Sequence, residues 1–231
     1  KFYLENFFKK DILKDPKIFE GLDNKFYFKT VYDSLYNLRN SFEYYKEFIQ
    51  IIESNKKLKV LPLCEIDLVK NPSLNIVGLR HDIDNLPDIA VQASRYLARV
   101  GIPGSFYFLH TSPYYAQNYN GNIVRNPILK EWIRNIALTG NEIGLHNDAL
   151  GATLDWGSDG IQILKKEIEW IRSLGIPLKG TVAHNSAPIY GAENYEIFKE
   201  NKLFNKKNMK INKRNNLKLG LINQQDLGLS Y

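Results

Sequence analysis

A chain of 231 residues, 44% of them hydrophobic, is long enough for one α/β domain with a sizeable core and short for two. The single cysteine, Cys64, excludes an internal disulfide, and the absence of any run of about 18 apolar residues excludes a spanning helix. The net charge of +6 does not point to nucleic acid, because the dense lysines of Lys9 to Lys17, Lys56 to Lys59 and Lys199 to Lys218 are interleaved with Asn and acids, as on a solvated surface. The first residues, Lys1-Phe2-Tyr3-Leu4-Glu5, lack the order of a secretory signal, so the expected setting is the reducing cytoplasm.

Residues 1–70 form an expected helical accessory region. An amphipathic helix around Val31 to Ile52 carries Leu35, Leu38, Phe42, Tyr45 and Phe48 at three- and four-residue steps, Lys57 to Ile66 adds a short strand, and Asn71-Pro72-Ser73 marks a loop. Residues 71–231 then alternate strand-like and helical patterns. Strands are expected at Leu74 to Leu79, Gly104 to Leu109, Glu142 to Leu145 and Gly180 to Ala183. The helices between them run from Pro87 to Val100, Pro127 to Leu138 and Ser158 to Leu174. Pro87 lies early in the first helix and Gly101 just past its end, and a Gly-Ile-Pro turn recurs at Gly101 and Gly175. Such βα units imply parallel strands with right-handed crossovers. A last helix, Glu193 to Glu200, and a last strand, Leu227 to Ser230, bracket a Lys/Asn-rich connection expected to be a mobile loop.

All four histidines fall at the carboxyl ends of the expected strands: His81, His110, His146 and His184. Parallel α/β folds deliver every strand's last side chain to one rim, so imidazoles and carboxylates gathered there suit a Zn-like divalent ion. Asp82 and Asp84, at i and i+2, can both face that rim, one binding metal while the other takes a proton. The plainer alternative pairs Asp82 with Arg80 and makes Asp84 the cap of the helix that starts near Pro87. No Gly-x-Ser-x-Gly elbow and no phosphate-cradling loop is present.

The segments Val77-Gly78-Leu79-Arg80-His81-Asp82-Ile83-Asp84, Gly104-Ser105-Phe106-Tyr107-Phe108 and Gly140-Asn141-Glu142-Ile143-Gly144-Leu145-His146 resemble the polysaccharide deacetylases of carbohydrate esterase family 4. They look closest to a divergent bacterial branch reading Arg-His-Asp-Val-Asp, found among surface-polysaccharide genes. The resemblance covers Ile76 to Ser186. It implies a distorted or incomplete form of the family's seven-stranded (β/α) barrel; because the expected strands are too few to close one, the expectation is either an open sheet or a domain continuing beyond residue 231. It also implies a divalent metal, Zn2+ first, and a carbohydrate or glycan-precursor substrate that is N- or O-acylated.

Carried over, the resemblance makes Asp82 the general base, Asp84 the first metal ligand and His146 the first of a His-x-x-x-His pair. The chain departs from the family at Leu150, which stands where the second histidine belongs and cannot bind metal. His184 is the first choice for the missing ligand and Asp148 the second. The family's late histidine, its general acid, has no counterpart here: the expectation is that it lies beyond residue 231 or, in a complete chain, that His81 or His110 protonates the leaving group. Arg80, His110, Asp148 and Trp156 are the candidate substrate contacts. The rival reading is a catalytically degenerate domain that keeps the fold to bind carbohydrate or to act as a scaffold.

Overall fold

The computed structural model describes residues 41–66, 68–70, 73, 75–119, 122–185, 192–200 and 221–231, and its two compact units divide between Phe48 and Ile49. Helix α1 (Ser41–Ser54) crosses that division; Leu35 and Leu38 of the expected helix, like the Asn71-Pro72 loop, lie outside the described residues. Its buried positions are Ile49 and Ile52, and Phe48 is exposed. The stretch expected to be one strand divides into β1 (Leu58–Leu61) and a single helical turn, α2 (Leu63–Ile66). Because β1 pairs in parallel with β2 (Asn75–Gly78), residues that composition grouped with the accessory region belong to the sheet-bearing unit.

After Leu79 the chain continues as β3 (Arg80–Ile83), which begins a four-stranded sheet with β4 (Ser105–Leu109), β7 (Glu142–Asn147) and β8 (Thr181–Ala183), all parallel and in that order. Every residue of β4 is buried, as in a sheet covered on both faces. The crossovers are helical. Helix α3 (Pro87–Arg99) starts on a proline whose missing N–H costs nothing in the first turn, and it ends before Gly101, whose φ of 69° is the left-handed geometry that glycine adopts without strain. It buries Val91, Ala93, Tyr96 and Leu97, whereas Ile89, expected on that face, is exposed. Helix α4 (Leu129–Ala137) buries Ile133 and Ile136. Helix α6 (Gly160–Ser173) is capped by Asp159, which accepts from the N–H groups of Ile161 and Gln162. The described residues thus form a mixed α/β fold with a curled parallel half-barrel sheet.

Two elements are absent from the sequence expectation. A hairpin, β5 (Ala116–Tyr119) and β6 (Asn122–Arg125), follows β4, and a short helix, α5 (Ala149–Leu154), follows β7. The hairpin is anchored by Arg125, which makes two contacts of 2.6 and 2.7 Å with the buried carboxylate of Glu167 on α6, where Tyr115 also donates. Toward the carboxyl end, the expected helix is only a 3-10 turn (Asn194–Ile197), and the expected strand is replaced by a second such turn (Gln224–Leu227) and a short edge contact. There Ser230 N–H donates to Lys179 and Thr181 N–H to Tyr231, while the Tyr231 hydroxyl joins Tyr107 and Glu142 inside the sheet. A side chain on Gly180 would collide with that Tyr231 ring, so the edge contact requires glycine there. The Lys/Asn-rich connection lies outside the described residues. Among the described residues, no helix is long and apolar enough to cross a membrane.

Candidate metal centre

Side chains alternate between the two faces of a strand, and paired positions in a parallel ladder share a face. The register sets Asp82 beside Tyr107 and Tyr107 beside Gly144, and two residues along it sets Leu109 beside His146 and His146 beside Val182. Asp82, Asp84, His146 and His184 are therefore in phase on one face. Strands β3 and β7 are separated by β4, which on a flat sheet would hold their backbones roughly 9–10 Å apart. Even so, His146 Nε2 is 3.4 Å from Asp84 Oδ1 and 3.6 Å from Asp82 Oδ2. The curl of the sheet makes these side chains converge, and Gly144 leaves room for the Tyr107 ring beneath them.

His146 is buried, and its Nδ1 lies 3.2 Å from the Val182 carbonyl. That contact places the proton on Nδ1 and leaves Nε2, on the Asp84 side, as a lone-pair donor. Burial pushes the His146 imidazole below its usual value, against the pull of Asp82 and Asp84, which favours the neutral form that binds metal. His184 follows β8 and extends the ladder through its N–H to Asn147 O at 2.8 Å. Its ring meets that of His146 edge to face, with centroids 5.1 Å apart. One ligand atom each from Asp84, His146 and His184 lies within 4.8 Å of the others. Around a tetrahedral ion with bonds of roughly 2.0–2.1 Å, neighbouring ligand atoms are about 3.4 Å apart. The Asp84–His146 pair already has that spacing, and two imidazoles with one carboxylate are a donor set that zinc accepts, so the residues fit a divalent ion.

The other expected site residues are distributed differently. Asp82 is gripped by Arg80, whose Nε and Nη2 donate to its two oxygens at 2.7 Å each. Asp84 does not cap α3: the cap position is Leu86, with no side-chain hydrogen bond. His81 stands within β3 and not after it, out of phase with Asp82; its ring stacks on Phe106 at 4.3 Å and its Nδ1 lies 3.3 Å from Ser105 O. His110 is buried, and its Nε2 accepts the backbone N–H of Asp148 at 2.9 Å. Strand alternation sets His81 out of phase with Asp82, and His110 is buried with its Nε2 taken by the Asp148 N–H, so neither presents a free nitrogen beside Asp82 in the way His146 does. Leu150 is fully buried in α5 and supplies no donor. Trp156, half-buried, accepts from Asn118 of the hairpin through its carbonyl, which ties this loop to β5.

Burial lowers the His110 imidazole to about 4 from an ordinary value of 6.5. The unfolded chain takes up this proton from about pH 6.5 downward and the folded chain only near pH 4, so stability falls across that window by up to about 3 kcal/mol. Denaturant titrations should show a shallower loss over the same window for His110→Gln than for the wild type. Parallel curves would refute the assignment.

Comparison with protein-family models, with curated proteins and with solved structures finds no match for this chain.

Proposed function

We propose that this chain is a metal-dependent, deacetylase-like hydrolase of the carbohydrate esterase type, removing an acyl group from an N- or O-acylated sugar during bacterial surface-glycan assembly in the cytoplasm. The observation that carries the reading is the convergence of Asp84, His146 and His184 on one face of the sheet, beside the carboxylate of Asp82. Zn2+ or a similar ion bound there would supply a water activated at neutral pH and an electrophile for the acyl carbonyl. The residues supply the rest. The Val182 carbonyl orients His146, and Asp82, released from one Arg80 contact, accepts the proton of the attacking water. Asp82, beside the cluster, then returns that proton to the leaving group.

The grip of Arg80 on both oxygens of Asp82 favours the rival reading, a degenerate domain that binds carbohydrate without cleaving it. Acetate release separates the two. Purified protein loaded with Zn2+ and offered N- and O-acetylated sugars should liberate free acetate, and a chelator should stop it. Sugar binding by calorimetry without acetate release, in metal-replete protein, would establish the rival.

A further inference from the structure

Asp148 is 5% exposed and does more than begin a helix. Its Oδ1 accepts from the Gly151 N–H at 3.1 Å and from Asn194 Nδ2 at 2.9 Å, and its Oδ2 accepts from the Thr111 hydroxyl at 2.6 Å. Its own N–H donates to the buried His110 ring. Three protein donors thus hold this carboxylate in place, and about one of its four acceptor sites remains open. The same Oδ1 lies 3.8 Å from His184 Nδ1, an ion-pair separation longer than a hydrogen bond. That Nδ1 is buried and has no hydrogen-bond partner among the described residues. A buried imidazole N–H left in that state is costly, and the nearby carboxylate is the group able to satisfy it.

Asn194 ties the two residues together, because its Nδ2 donates both to Asp148 Oδ1 and to the His184 carbonyl at 3.0 Å. The backbone of His184 is thus fixed relative to Asp148, and a ring movement of about 1 Å closes the gap to the ~2.8 Å of a charge-assisted bond. His146 shows the same design with a neutral acceptor: its Nδ1 faces the Val182 carbonyl and its Nε2 faces Asp84.

We infer that Asp148 is the positioning residue of the metal centre: it takes the Nδ1–H of His184, fixes the ring's tautomer and direction, and leaves Nε2 to face the ion beside Asp84 and His146. This rests on the hydrolase reading only in assuming that the ion binds. Outer-shell carboxylates of this kind set ligand orientation and basicity, and their loss typically lowers metal affinity by roughly ten- to a hundredfold.

Two measurements test it. Imidazole nitrogen NMR on the metal-free protein at alkaline pH should find His184 mainly with its proton on Nδ1, and Asp148→Asn should shift that tautomer ratio. Titration with Co2+, followed by its visible absorption, should find Asp148→Asn weaker than wild type by ten- to a hundredfold and with an altered spectrum. Asp148→Asn should add no further loss in a His184→Ala background, whereas a purely structural role would weaken both backgrounds alike. Equal Co2+ affinity and an unchanged spectrum in Asp148→Asn, or equal losses in the two backgrounds, would overturn the assignment. Absence of Co2+ binding by the wild type would defeat the hydrolase reading, and the metal-free tautomer ratio would still decide what Asp148 does to His184.

Discussion

Asp84→Ala is expected to weaken divalent-ion binding by two to three orders of magnitude while leaving the protein folded. Structural zinc sites with four ligands are worth roughly 10–16 kcal/mol, so a lost ligand removes about 3–4 kcal/mol. Asp84 is the clean position at which to remove one. Its side chain is 51% exposed, so truncation leaves no cavity. Its backbone stays pinned by the Ser112 hydroxyl, which donates to the Asp84 carbonyl at 2.8 Å, and by Tyr114, which donates to Ile83 O. The buried His146 is less clean, because truncating it also strips the Val182 carbonyl of its partner and costs stability for reasons unrelated to metal. Two measurements check the expectation: metal equivalents per chain after dialysis, and the shift of the thermal midpoint on adding Zn2+. The wild type should gain stability with increasing metal and Asp84→Ala should not, since only a ligand that binds the folded state raises the midpoint. Equal occupancy and equal shifts in the two proteins would remove Asp84 from the site.

Much of this centre is legible in the chain because it obeys the period of two. Once β3 is extended as far as Ile83, alternation alone places Asp82 with Asp84 and sets His81 apart from them, and the same rule joins His146 to that face. His81 departs from the expected strand-end position because β3 continues through Ile83, so His81 lies inside the strand and points to the face opposite Asp82. The four strand-end histidines look equivalent in sequence. Only tertiary packing tells His184, open to the cluster, from His110, which is closed in a buried bond to the Asp148 backbone. The hairpin left a usable signal, Asn120-Gly121 between alternating segments, the commonest two-residue hairpin pair. The anchoring of that hairpin by Arg125 and Glu167, 42 residues apart, left none, because a buried ion pair between distant positions has no local pattern. The role of Asp148 is only partly local: its cap on Gly151 follows from a short polar residue before a helix, whereas Asn194, 46 residues away, decides where its other lone pairs point.

Asp82→Asn should lower acyl hydrolysis by about a hundredfold to ten-thousandfold, the range lost with a general base, while metal occupancy stays at the wild-type level. The geometry makes this more than a simple deletion. In the wild type the guanidinium fork of Arg80 holds both carboxylate oxygens, and Oδ2 is also 3.6 Å from His146 Nε2. An asparagine keeps one oxygen for Arg80 but turns an NH2 toward the second guanidinium nitrogen, so donor faces donor and the fork must open. Arg80→Lys supplies the complementary test: a point charge replaces the fork, and a single contact leaves one oxygen of Asp82 free. If Arg80 mainly orients the base, Arg80→Lys should lower turnover and keep metal. If instead the fork restrains the base, Arg80→Lys should raise turnover. Loss of metal in Asp82→Asn, with occupancy retained in Asp84→Ala, would exchange the roles of the two aspartates and make Asp82 the ligand that His146 faces across 3.6 Å.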